Sequence, residues 1–114
     1  TPTGSTGYSL SCNGPVISPD SKNLIITPIA PHNLNARPMV ISDDTNIQLT
    51  IDSREKDFLI SLDSRITSVS KNTEIFIKKA SFTIKSIIPN NQSFLQTLRS
   101  KLLWGEDTRN ETNL

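Results

Sequence analysis

One cysteine, one tyrosine, one tryptophan and four glycines are all that this 114-residue chain holds of those types. With Cys12 alone there is no internal disulfide to close, and a lone thiol fits a reducing, cytoplasmic setting. Charge of either sign is also scarce in excess. A net +1 gives no strong basic field, which argues against nucleic acid as the main partner. No charged-then-apolar leader and no apolar run of bilayer length occur, so no membrane association is expected. Apolar residues make up 34%, enough for a modest core but below the usual share of a self-sufficient domain. The length allows one domain at most. No repeat of fixed period and no low-complexity tract is present.

What is there is concentrated at the front. Six of the residues Thr1-Pro2-Thr3-Gly4-Ser5-Thr6-Gly7-Tyr8-Ser9-Leu10-Ser11 are Ser or Thr, and two are Gly. That mix makes poor core. It suits a loop whose backbone comes close to a ligand and whose hydroxyls hydrogen-bond it. A Ser/Thr-rich capped turn without a ligand has the same composition. The loop is expected to run into a helix capped by Ser5 or Thr6, with Tyr8, Leu10 and Cys12 starting an apolar side. Asn13-Gly14-Pro15 should end it, Gly14 serving as a left-handed C-cap.

Downstream, strands are expected. Asn23 to Ala30 is a short apolar run, and Arg37 to Ile41 is another, with Pro38 near its start. Ile47, Leu49 and Ile51 alternate with polar residues, as in a half-buried strand. Ser53 to Asp57 separates it from Phe58 to Asp63, which suggests a hairpin between the two. Ile66 and Val69 lead into a turn at Ser70-Lys71-Asn72. Ile75 to Ile77, then Phe82, Ile84 and Ile87, complete roughly six strands. The period then changes. Pro89-Asn90-Asn91 breaks the sheet, with Asn91 as N-cap. Phe94, Leu95, Leu98 and Leu102 share one helical face, and Gly105 is the stop. Glu106 to Leu114 is polar and expected to be disordered. The fold class is thus mainly β, antiparallel and sandwich-like, with a short helix after the opening motif and a C-terminal amphipathic helix.

The opening block closely resembles the NAD kinase signature Thr-Pro-Thr-Gly-Ser-Thr-Ala-Tyr followed by Ser-Leu-Ser. Leu24 to Leu34 with Arg37-Pro38-Met39-Val40 resembles that family's Ile-Thr-Pro-Ile-Cys-Pro-His and Arg-Pro block. Leu62-Asp63-Ser64 stands where the family has Asp-Gly, and Leu98 to Trp104 is similar to its terminal Leu-Arg-x-Lys-Leu-x-Trp. The resemblance covers residues 1–104 and implies the family's C-terminal, NAD-binding and oligomerising domain. It also implies a fragment, incomplete at its N-terminus, since the chain opens on Thr1 inside the motif.

Such kinases transfer the terminal phosphate of ATP, or of polyphosphate in some members, to the 2′-hydroxyl of the adenosine ribose of NAD, making NADP. The resemblance implies NAD and ATP as partners, a divalent metal (Mg) carried with ATP, and a homo-oligomer, dimer or tetramer. It places Thr3, Thr6, Gly7, Tyr8 and Ser11 on the NAD pocket and Asp63 near the ribose. Ala30 and His32 match positions that reach the site from the adjacent subunit. By residue type alone, Tyr8 also suits core lining, while His32 and Asp63 suit turns. The family's catalytic carboxylate belongs to a Gly-Gly-Asp-Gly motif, which this sequence does not contain. No catalytic residue and no metal ligand is therefore expected on this chain. Three departures stand out: Gly7 for Ala, Asn13 for the first of two glycines, and Ser64 for Gly. The competing readings are a non-catalytic scaffold of the same fold and a related lipid-kinase-like domain.

Overall fold

A computed structural model describes residues 1–88 and 93–105 of the chain. They fall into two compact units, Thr1–Val40 with Phe82–Leu114, and Ile41–Ser81. The expected break at Pro89 to Asn91 and the tail from Glu106 lie outside the described residues.

The first unit opens with a 3-10 turn, Thr3–Thr6, followed by α1, Tyr8–Ser11. The single capped helix expected from the sequence is therefore two short turns broken at Gly7. No side chain caps either one. Ser5 is drawn inward instead and is fully buried. The end of α1 forms a Schellman closure. Gly14 N–H donates to the Ser9 carbonyl at 2.8 Å, and Asn13 N–H donates to the Leu10 carbonyl at 3.0 Å. The left-handed residue is Asn13, with φ 61°, not Gly14 as the sequence suggested. Asn tolerates this conformation because its short polar side chain can hydrogen-bond locally. Gly14 is needed for another reason: a Cβ there would lie 2.1 Å from Ser9 Oγ and 2.7 Å from the Ser9 carbonyl oxygen.

β1, Asn23–Ile26, covers only the first half of the run Asn23 to Ala30 expected as a strand, and it is half-buried along its whole length rather than closed off on both faces. It pairs with β2, Met39–Ser42, through which the chain leaves this unit. The last element of the first unit is α2, Phe94–Leu102. Its N-cap is Ser93, in a full capping box: Gln96 N–H donates to Ser93 Oγ at 3.2 Å, and Ser93 N–H donates to Gln96 Oε1 at 3.0 Å. Leu98 is buried, Phe94 and Leu102 are half-buried, and Leu95, expected on the same face, is 72% exposed. The helix stops at Leu103, whose φ of 54° is left-handed, two residues before Gly105. Arg99 and Lys101 sit in the last turn, where they complement the helix dipole.

The second unit is built from antiparallel pairs. β3, Ile47–Leu49, pairs with β6, Ile75–Ile77, in the register Ile47↔Ile77 and Leu49↔Ile75. Between them in sequence lies the hairpin of β4, Asp57–Leu62, and β5, Arg65–Ser70. Phe58 pairs with Val69 and Ile60 with Thr67; Phe58, Ile60 and Val69 are half-buried, while Leu59 and Ile66 face out. The hairpin expected between β3 and β4 does not form. Seven residues separate those strands, whereas two, Asp63 and Ser64, join β4 to β5. Two-residue loops match strand twist when the first residue has positive φ, and Asp63 has φ 53°. Phe82, Ile84 and Ile87, expected as a strand, have no ladder partner among the described residues and are 71 to 97% exposed. Alternation alone does not make a strand without a neighbour to pair with. Lys79 Nζ lies 2.5 Å from Asp43 Oδ2, beyond the Ile47↔Ile77 end of the β3–β6 pair.

Candidate functional site

The opening motif is held by side chains rather than by a ladder. Ile17 N–H donates to Ser5 Oγ at 3.0 Å, and the Ser5 hydroxyl donates back to the Ile17 carbonyl at 3.4 Å. One buried hydroxyl thus satisfies both backbone groups of a distant residue and fixes the turn bearing Thr3 and Thr6. A second tie joins α1 to the residue after β1. Ser9 Oγ and Thr27 Oγ1 are 3.1 Å apart, both on half-buried residues. Sequence reasoning missed Ser5 and Ser9 as supports, because burial of one serine within a run of hydroxyls leaves no mark in the sequence. The signal for Gly14 was present but pointed to the wrong cause.

Five of the eight implied site residues line three cavities of the first unit. Tyr8 is 71% exposed and walls a cavity of about 230 Å³ with Thr1, Gly4, Ser9 and Thr27. Ser11 and Ala30 both line a cavity of about 450 Å³, as do Asn13 and Arg37. Thr3 and Thr6 border a third, of about 460 Å³, whose other wall is α2 through Phe94, Leu98 and Lys101. The structure thus brings Ser11 and Ala30 of one chain together, and puts Tyr8 and the two threonines on different cavities.

Gly7 N–H is already donated to the Gly4 carbonyl at 3.0 Å, and its own carbonyl accepts Leu10 N–H at 3.1 Å. Gly7 therefore offers close backbone approach rather than a free donor. Ala30 takes a left-handed φ of 46° in the turn that carries the chain from Pro28 towards His32. His32 is exposed and lines none of these cavities. Next to it, Asn33 Oδ1 accepts Asn35 N–H at 2.9 Å, and Arg37 donates to the carbonyls of Leu34 and Ala36 at 2.6 and 2.9 Å, so this loop ties itself down. Asp63 lies in the second unit, at the tip of the β4–β5 hairpin, with its carbonyl accepting the Ser61 hydroxyl at 3.2 Å. Among the described residues there is no group of three or more His, Cys, Asp or Glu that could hold a metal ion. None of their helices is long and apolar enough to cross a membrane.

A family model described as the ATP-NAD kinase C-terminal domain matches residues 1–89. The chain is 64% identical over 110 residues to an NAD kinase of Christiangramia forsetii, covering 96% of this chain and 37% of the relative. Against an NAD kinase of Flavobacterium johnsoniae the identity is 61%, with the same coverage of each. The chain thus spans little more than a third of the length of these curated relatives. Among solved structures, yeast NADH kinase complexed with NADH has a similar fold, with a TM-score of 0.66 at 21% identity. The likeness covers 94% of this chain and 34% of that one.

Proposed function

The chain belongs to the ATP-NAD kinase C-terminal domain family, and on that premise we propose that it is the dinucleotide-binding part of an NAD kinase. In the parent protein the ribose 2′-oxygen of NAD attacks the γ-phosphorus of ATP. The bond to the leaving ADP oxygen breaks, and the hydroxyl proton passes to a base. No Gly-Gly-Asp-Gly segment occurs here to supply that base, so the chain contributes binding and orientation.

The observation that carries this reading is Tyr8, standing 71% exposed over a cavity within the segment that the family model matches. Its ring offers a face for a base and its hydroxyl a polar tip. Thr3, Thr6 and Ser11 add hydroxyls for the amide and ribose groups, and Gly7 lets the ligand come close to the backbone. Ala30 and His32 serve the site of the adjacent subunit in the oligomer, and Asp63 supplies a carboxylate near the ribose. The resemblance implies that ATP arrives with a divalent metal (Mg), whose contacts we assign to the parent's other domain. The same reading makes the parent a homo-oligomer, dimer or tetramer. Exposed apolar side chains such as Leu59, Ile66 and Phe76 support that part. A cytoplasmic setting is supported by the free thiol of Cys12.

Steady-state kinetics of the parent enzyme test the assignment. Tyr8→Ala is expected to raise KM for NAD about tenfold, the loss of one base–aromatic contact, with a smaller effect on KM for ATP. An unchanged KM for NAD would remove Tyr8 from the pocket. The isolated chain, given ATP, Mg²⁺ and NAD, is expected to form no NADP; formation of NADP would mean that the catalytic base lies on this chain.

A further inference from the structure

Two hydroxyls fix the geometry of the motif from behind. Ser9 sits inside α1, between Tyr8 and Ser11, and Thr27 follows β1 directly and leads through Pro28 and Ile29 to Ala30. Ser9 Oγ meets Thr27 Oγ1 at 3.1 Å across 18 residues of sequence. Gly14 closes in on Ser9 as well. The space where its Cβ would stand is 2.1 Å from Ser9 Oγ, and its N–H holds the Ser9 carbonyl at 2.8 Å. Ser9 is thereby held at both its backbone and its side chain. The two segments joined by the hydroxyls are the ones that bring Ser11 and Ala30 onto one cavity and Tyr8 onto its neighbour.

We propose that the Ser9–Thr27 hydroxyl pair, backed by Gly14, is a positioning clamp that holds α1, with Tyr8 and Ser11, in place against the end of β1 and so sets the affinity of the site. This rests on the NAD-pocket reading for its ligand, but not for the geometry that the clamp imposes. A hydrogen bond is directional where a methyl contact is not, so a residue of the same volume without the hydroxyl fills the space and loses the registration. Ser9 and Thr27 act through Tyr8 and Ser11 and are positioning residues.

The test compares Thr27→Val, which keeps the shape, with Thr27→Ser, which keeps the hydroxyl. Both are titrated with NAD by calorimetry. In parallel, the amide resonances of Tyr8 and Ser11 are followed by NMR without ligand. Thr27→Val is expected to bind NAD about fivefold more weakly, the factor equivalent to one hydrogen bond of about 1 kcal/mol. Thr27→Ser should stay within about twofold of the parent chain. Equal affinity for all three, or equal loss in both variants, would overturn the clamp. If the unsubstituted chain binds no NAD, the pocket reading fails while the clamp is still decided by the resonances. Shifts at Tyr8 and Ser11 in Thr27→Val but not in Thr27→Ser support it, and unmoved resonances in Thr27→Val refute it. Should Thr27→Val not fold, Ser9→Ala removes the same bond from the other side and is read in the same way.

Discussion

Thr1–Pro38 and Ile41–Ser81 are held together by different means. The β4–β5 hairpin of the second segment rests on an antiparallel ladder running from Asp57↔Ser70 to Leu62↔Arg65, and a further bond from Lys71 N–H to the Lys56 carbonyl extends it. Backbone groups do that work, and side chains can change without breaking it. The first segment has one short strand, and its motif is fastened by single hydroxyls and one glycine: Ser5 on Ile17, Ser9 on Thr27, and Gly14 against Ser9. Seven of the eight proposed site residues lie there, and Asp63 alone lies in the second unit. A ligand site needs backbone and hydroxyls turned outward, which a paired ladder cannot spare. The expected difference is that changes of one or two atoms cost much in the first segment and little in the second.

The sharpest way to break this contrast is Gly14→Ala. The added Cβ would stand 2.1 Å from Ser9 Oγ and 2.7 Å from the Ser9 carbonyl oxygen, which is backbone, so α1 must shift. A loss of about 3 kcal/mol in urea denaturation is expected; a loss below about 0.5 kcal/mol would mean that the Schellman closure gives way freely. Ser5→Ala comes next. It strips a fully buried hydroxyl from both the N–H and the carbonyl of Ile17, and should cost about 2 kcal/mol. The same measurement reads it. In the second unit, Asp63→Val places a β-branched residue at φ 53° and should cost about 1 kcal/mol, whereas Asp63→Gly should cost nothing measurable. Lys79→Ala removes the ion pair with Asp43, whose lysine is 56% exposed. It should cost less than about 1 kcal/mol, and less again in high salt. If the two second-unit changes cost as much as the first two, the contrast is wrong.

The sequence made some of this legible and hid the rest for physical reasons. The alternation Ile47, Leu49 and the apolar run from Phe58 located β3 and β4, because a half-buried strand has to alternate. Their partners could not be read the same way. Pairing was decided by the loop that could reverse the chain in two residues, and that depended on Asp63 adopting positive φ without a glycine. Phe82 to Ile87 shows why alternation is necessary but not sufficient, as no ladder meets it among the described residues. The motif's identity was plain from residues 1–11, and the family match over residues 1–89 agrees with it. Its internal supports were not visible. Asn13 took the left-handed position expected of Gly14, and Ser5 turned inward rather than capping a helix. The first follows from the close approach of Gly14 to Ser9, five residues back, and the second from the bonds of Ser5 to Ile17, twelve residues on; local composition encodes neither.

Isothermal titration of the folded chain with NAD, alongside Tyr8→Ala, tests most directly whether the hydroxyl-fastened segment is a dinucleotide pocket. Saturable heat that disappears in Tyr8→Ala is the expected result. Heat that persists unchanged in Tyr8→Ala, or no heat from a chain shown to be folded by its circular dichroism, would contradict it.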